Sequence, residues 1–291
     1  MTVMFFHIPK CGGSSVVESA VSVLGAGYVH HIGDIDARTI ERRIPRLLAA
    51  RPSFSLLSAH IPPERVSPAL PLDRVIVLRD PLERLQSHFC FGYAYRYWSG
   101  KMAEFFLRSS NANPNRFDKA VLLNWTAEFS MDNLETRMLS GNLFDPITNN
   151  DIERAIAALG TMDLVGTTHK FESFLRRLGM RVADTPFPMR HENDSNRDLL
   201  VLGRDDEREV IEKFLFADQI VFEAAKRMAA SEAKWVGASS ASSARQRKPM
   251  SAMEIHIRWL RHTGASQILR YTIRSVLRRL RKWREKIVRV V

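Results

Sequence analysis

Two cysteines, Cys11 and Cys90, are all that 291 residues contain, which excludes a disulfide framework and suits a reducing compartment. No stretch approaches about 18 uncharged apolar residues, so no helix is expected to span a membrane. The opening TVMFFHI has no basic region, no long apolar core and no cleavage site, so no signal peptide and a cytoplasmic location are expected. There is no internal repeat. Acidic residues are scarce in one segment only. Residues 245 to 291 carry 14 Lys and Arg against Glu254 and Glu285, a charge of +12, while the other 29 basic and 30 acidic residues leave −1. The overall +11 therefore belongs to a tail and says nothing about what the rest of the chain binds. A nonspecific charge excess of this kind gives no reason to expect a specific nucleic-acid partner.

What is present supports a globular α/β protein. Hydrophobic residues make up 45% of the chain, enough for one large core or two small ones. Residues 3 to 8 read as a buried strand, and a helix over 14 to 24 carries Val16, Val17, Ala20, Val21 and Leu24 on one face. A second helix is expected over 37 to 50. Short apolar strands are expected over 53 to 59, 73 to 79 and 162 to 169. A helix-rich stretch runs from Pro81 to about 160, interrupted near 109 to 115. KFESFLRRLG reads as a helix closed by Gly179, and one or two helices are expected over 204 to 230. Strands alternating with helices imply a parallel sheet with helices on both faces. The expected organisation is a domain over 1–235, a flexible Ser-rich linker over 236–250 and a basic amphipathic helical tail over 251–291. In the tail, Leu269, Ile273, Val276, Leu280, Trp283, Ile287 and Val290 recur at spacings of four and three. That stripe suits an anionic membrane surface; docking on the domain or on a second copy is the alternative.

Two turns carry anion chemistry. In FFHIPKCGGSSVVES, a strand runs into Pro9, Lys10, Cys11, Gly12, Gly13, Ser14 and Ser15. The glycines allow backbone N–H groups close approach, the serines stand where a helix begins, and Lys10 adds a point charge. The nucleoside triphosphate loop places Lys after its glycines; here it comes before them. A plain strand-to-helix turn with a solvated lysine is the alternative. In VIVLRDPLERLQSHF a strand ends in Arg79, and Arg84 and Ser87 lie on the next helix. Arg79 and Ser87 can both reach one phosphate; a surface Arg79–Asp80 pair and a serine on a solvated face are the alternative. Cys11, in an electropositive turn at a helix N-terminus, is expected to be the more reactive thiol, a buried small residue with no reactivity being the alternative. His60 ends the strand SLLSAH, and His7 immediately precedes the first turn.

The paired turns resemble the PAPS-dependent sulfotransferases, where PAPS is 3′-phosphoadenosine 5′-phosphosulfate, and in particular the carbohydrate type related to heparan uronosyl 2-O-sulfotransferases. The resemblance covers roughly residues 2 to 230 and extends to SAHIPPE, DNLETRMLSG and DLVGTTHKFESFLRRL. It implies a P-loop-like central parallel sheet flanked by helices. It also implies that HIPKCGGSS, through Lys10, Cys11, Gly12, Gly13, Ser14 and Ser15, holds the 5′-phosphosulfate, and that Arg79 and Ser87 hold the 3′-phosphate. Sulfuryl transfer to a carbohydrate or glycolipid hydroxyl needs no metal and leaves adenosine 3′,5′-bisphosphate. In that reaction Lys10 stabilises the leaving group and His60 is the general base, with His7 as its rival or as a residue orienting the turn. Asn133 and Arg137, four apart on an expected helix, either face the acceptor or belong to a structural helix nearby. Cys11 stands where the family usually has Thr, and His169 where an acidic residue is common. The rival classes are a phosphotransferase with a variant loop and a non-catalytic protein that binds anions or a membrane surface.

Overall fold

The structure is a computed structural model that describes residues 2–32, 37–50, 54–94, 100–109, 117–189, 200 and 202–231. The expected linker and tail helix lie outside the described residues. Strand β1 (Thr2–Phe6) is apolar at four of its five positions and buried at all of them, as a strand covered on both faces must be. It is the middle of a five-stranded sheet in the order β2-β3-β1-β4-β5, with β2 at Val29–Ile32, β3 at Leu56–Ala59, β4 at Leu72–Leu78 and β5 at Leu164–Thr167. Every pairing is parallel; Phe6 aligns with Ala59 on one side and Ile76 on the other.

Alternation along the strands divides the core between two faces. Met4, Phe6, Leu57, Ala59, Ile76, Leu78 and Val165 share one face with Ile44 of α2 (Ala37–Ala50), Ile152 and Leu159 of α7 (Asn149–Gly160) and Val221 and Phe222 of α10 (Phe216–Ser231). The intervening Val3, Phe5, Val75 and Val77 are buried toward the other face. There α1 (Gly13–Leu24) packs on α8 (Phe171–Ala183), whose Phe174 fills the space beside Gly166 of β5. A second core joins α3 (Pro81–Ala94), α4 (Gly100–Ser109), α5 (Lys119–Glu128) and α9 (Arg204–Val210) around Phe89, Phe106, Phe117 and Trp125. The short helix α6 (Leu134–Ser140) lies between α5 and α7 in sequence, and a π-turn over Ile211–Leu215 joins α9 to α10.

The connections position the site. From β1 the chain passes through α1 to the β2 edge, whereas from β4 it passes through α3 toward the β5 edge. The chain thus departs in opposite directions from two adjacent strands, and that opens a crevice at their carboxyl ends. One strand had no expectation behind it, and one expected helix end needs correction. Strand β2 (VHHI) was not anticipated, because paired histidines interrupt the apolar signal of an edge strand. Helix α8 does not close at Gly179. It continues to Ala183 and ends at Asp184, whose φ is 50°. Gly179 is interior to the helix, and glycine is needed there because a Cβ would lie 2.4 Å from the Phe187 amide nitrogen and the Thr185 carbonyl oxygen. Among the described residues, no helix is long and apolar enough to cross a membrane.

Candidate functional site

The first turn leaves β1 at His7 and enters α1 at Gly13. It reverses through two left-handed residues, Lys10 at φ 69° and Gly12 at φ 82°. The second is an ordinary use of glycine; the first is uncommon for a residue with a Cβ, the kind of local strain that functional turns carry. The Cys11 N–H donates to the Ile8 carbonyl at 3.2 Å, and the Val16 N–H donates to Gly12 at 3.1 Å. The N-cap of α1 is Gly12, which has no side chain to cap the helix, so its first N–H groups face the turn. The Lys10 ammonium lies 4.3 Å from the centroid of the Phe91 ring. Burial, then the neighbouring Arg79 charge, holds Lys10 down at about 8, so at pH 7 it is still mostly cationic.

Three imidazoles gather at the carboxyl ends of β1, β2 and β3. His7 and His60 are 4.3 Å apart between ring centroids, and His31 is 5.7 Å from each. His31 Nδ1 lies 3.1 Å from the Ser58 hydroxyl. His7 is buried, its Nε2 packs against Gly13, and its Nδ1 has no hydrogen-bond partner among the described residues. Burial, with the nearby His60 and His31, pushes the His7 pKa well below the usual imidazole range. Among the described residues, no group of three His, Cys, Asp or Glu side chains is placed to hold a metal ion.

The second turn follows β4. Arg79 Nη1 donates to the Lys10 carbonyl at 3.4 Å, so the two turns meet. The same guanidinium pairs with Glu83 at 3.2 Å. One face of α3, at helical spacing, carries Arg84, Ser87, His88 and Phe91. Ser87 is buried. Burial, then the charges of Arg84, Lys10 and His60, pulls the His88 pKa down to about 3, so this face stays neutral apart from its arginine.

Beneath the turns lies a buried ionic layer. Arg84 and Asp218 are both fully buried and pair at 3.7 Å. Asp218 of α10 accepts from the N–H groups of Glu135 and Thr136 at 3.2 and 2.7 Å, capping α6 from outside. Asn133, at φ 42°, in turn accepts from the N–H groups of Ala217 and Asp218 at 3.0 and 3.2 Å, capping α10. Arg137 is taken up by the Asp132 carboxylate at 2.7 Å and the Asp145 carbonyl at 2.7 Å. Those are the bonds of the two residues considered for the acceptor: each ties one helix end to another segment. Glu135 Oε1 accepts from the Cys11 thiol at 3.1 Å and from the Arg79 N–H at 2.9 Å. Burial and the Asp218 charge raise the Glu135 pKa to about 8. The expected reactive Cys11 is corrected by the same contact. Its thiol is 1% exposed, and burial together with Glu135 pushes its pKa up rather than down, outweighing any helix-terminus effect.

Glu135, His88 and Phe91 were missed from sequence as parts of this site, and Arg84 was placed beside Ser87 without a role of its own. An acidic residue between Leu134 and Met138, and another within FADQIVF, were the available signals of charge inside an apolar pattern. Comparison with known protein families and with curated proteins finds no match to this chain.

Proposed function

We propose that the chain is a sulfotransferase of P-loop-like fold that moves a sulfuryl group from PAPS to a hydroxyl of a carbohydrate or glycolipid. The observation that carries this reading is the meeting of the two anion-binding turns across the β1–β4 crevice, where Arg79 donates to the Lys10 carbonyl. A ligand with two separated phosphate groups suits two such turns better than a single anion does. Gly12 and Gly13 leave the entry to α1 without side chains, and the start of that helix, with glycine at its N-cap, offers N–H groups to a 5′-phosphosulfate. Arg79 and Ser87 take the 3′-phosphate, which competes with Glu83 for the guanidinium.

Bound PAPS supplies sulfur already activated by a phosphate leaving group. As the acceptor oxygen bonds sulfur, the sulfur–oxygen bond to phosphate breaks and its electron pair stays on phosphate. The Lys10 ammonium offsets that charge. The acceptor proton passes to an imidazole nitrogen of His60. His7 suits packing rather than base chemistry, since its Nε2 faces Gly13 and burial disfavours its charged form. The basic tail holds the domain near an anionic membrane that bears the acceptor.

Adenosine 3′,5′-bisphosphate at 100 times its Kd should stabilise the protein by about 2.7 kcal/mol in a thermal melt. Incubation with PAPS and a glycan and lipid panel should yield a sulfated product by mass spectrometry, and Lys10→Ala should abolish it while keeping the fold. Stabilisation without any product would leave a non-catalytic nucleotide-binding protein. No stabilisation at about 1 mM bisphosphate would sink the reading.

A further inference from the structure

We infer that Glu135 is a positioning residue that holds the two phosphate-binding turns in register, so that they recognise two phosphate groups on one ligand together. The ligand's identity rests on the proposed function; the bridge itself does not. One oxygen of this fully buried carboxyl group accepts both the Cys11 thiol of the first turn and the Arg79 N–H of the second. Those donors belong to segments that follow different strands, β1 and β4. If the turns move apart, at least one donor must lose its acceptor in a place water does not reach.

The bridge is itself anchored. The Glu135 N–H and the Thr136 N–H and hydroxyl are fixed by Asp218, and Asp218 is fixed by Arg84 and by its own N–H on Asn133. Arg84 returns to α3, the helix that also carries Ser87. A chain of contacts therefore runs from the first turn through α6 and α10 back to the helix of the second. The second Glu135 oxygen, Oε2, has no hydrogen-bond partner among the described residues. Both bridging bonds thus load on Oε1, and an amide oxygen can replace it.

Binding two phosphates of one ligand is a bivalent event, and its advantage depends on the spacing of the two subsites. Glu135→Ala should lower affinity for adenosine 3′,5′-bisphosphate at least about tenfold, within the usual range of site coupling. Adenosine 5′-monophosphate and adenosine 3′-monophosphate, which each engage one turn, should weaken less than about threefold. Glu135→Gln keeps an acceptor oxygen and should stay within about threefold of the parent for all ligands. Cys11→Ala, which cuts one arm of the bridge, should show the same selective loss should Glu135→Ala fail to fold. Hydrogen exchange without ligand reads the bridge directly: segments 8–14 and 77–84 should both lose protection in Glu135→Ala, while the α4–α5 region does not.

A parallel fall for all three nucleotides, or no fall for any, overturns the proposal. Unchanged exchange in either segment overturns it as well. If the parent binds none of the nucleotides while both segments lose protection, the bridge stands and the sulfotransferase reading fails.

Discussion

Gly13→Ala tests whether the first turn and the histidine cluster share one tightly filled space. Gly13 opens α1 without a left-handed φ, so its backbone tolerates alanine. Space does not. A Cβ there would stand 1.9 Å from His7 Nε2 and 2.0 Å from Cδ2, well inside the about 3.5–4.0 Å of ordinary contact. The ring cannot easily retreat, since it stacks on Phe5 at 5.6 Å and meets His60 at 4.3 Å. Overpacking of this kind costs about 1–3 kcal/mol, and alanine returns up to about 1 kcal/mol of helix preference. A net loss of about 1–2 kcal/mol lowers Tm by about 2–8 °C in a domain of this size. Calorimetry on Gly13→Ala, His7→Ala and the double variant measures it. The double variant should recover most of the loss, with a coupling within the about 0.5–3 kcal/mol seen for contacting residues. Gly12→Ala is the control: its φ of 82° penalises alanine whatever His7 does, so His7→Ala should not rescue it. An unchanged or raised Tm for Gly13→Ala, or strict additivity in the double variant, refutes the packing argument.

Because Lys10 is held at about 8, the cation is present below that pH and lost above it. Affinity for adenosine 3′,5′-bisphosphate should therefore fall as pH rises through about 8 in the parent and stay flatter in Lys10→Ala; identical pH slopes by titration calorimetry would remove Lys10 from the site. Truncation after Ser243 should leave turnover on a soluble acceptor unchanged and abolish binding to anionic vesicles, since each basic contact is worth about 1 kcal/mol at such a surface. A full-length chain that fails to bind those vesicles at low salt would end the membrane proposal.

Local chemistry was legible in the sequence, and distant pairing was not. TVMFF and VIVL announce strands because both of their faces are apolar, and the alternation of strands with helices is enough for a parallel sheet. The glycine turn is a contiguous motif, so its shape can be anticipated from its own residues. VHHI carries no such run, and its place at the sheet edge is set by pairing with β3. Glu135 and Cys11 are 124 residues apart, and Thr136 and Asp218 are 82 apart. Nothing in either neighbourhood specifies the other. Asn133 and Arg137 illustrate the same limit: their spacing marks one helix, while their bonds depend on where α10 and the segment after α6 come to lie. The helix start alone argues for a reactive Cys11, but burial and then a distant carboxyl group set the thiol's environment.

The remote capping of α6 by Asp218 has a consequence for how the chain is made. The first turn is complete in sequence once Gly13 has been added, yet the contact that fixes Glu135 beneath it comes from residue 218. At about 5–20 residues per second, roughly 10–40 s of synthesis separate the two. From its own addition until then, Arg84, destined for complete burial, lacks its carboxylate partner. A nascent chain in this state must keep the arginine in water, with the second core open around α3. The site therefore cannot mature from its N-terminal end as it emerges, and the turns after β1 and β4 are set only when α10 arrives.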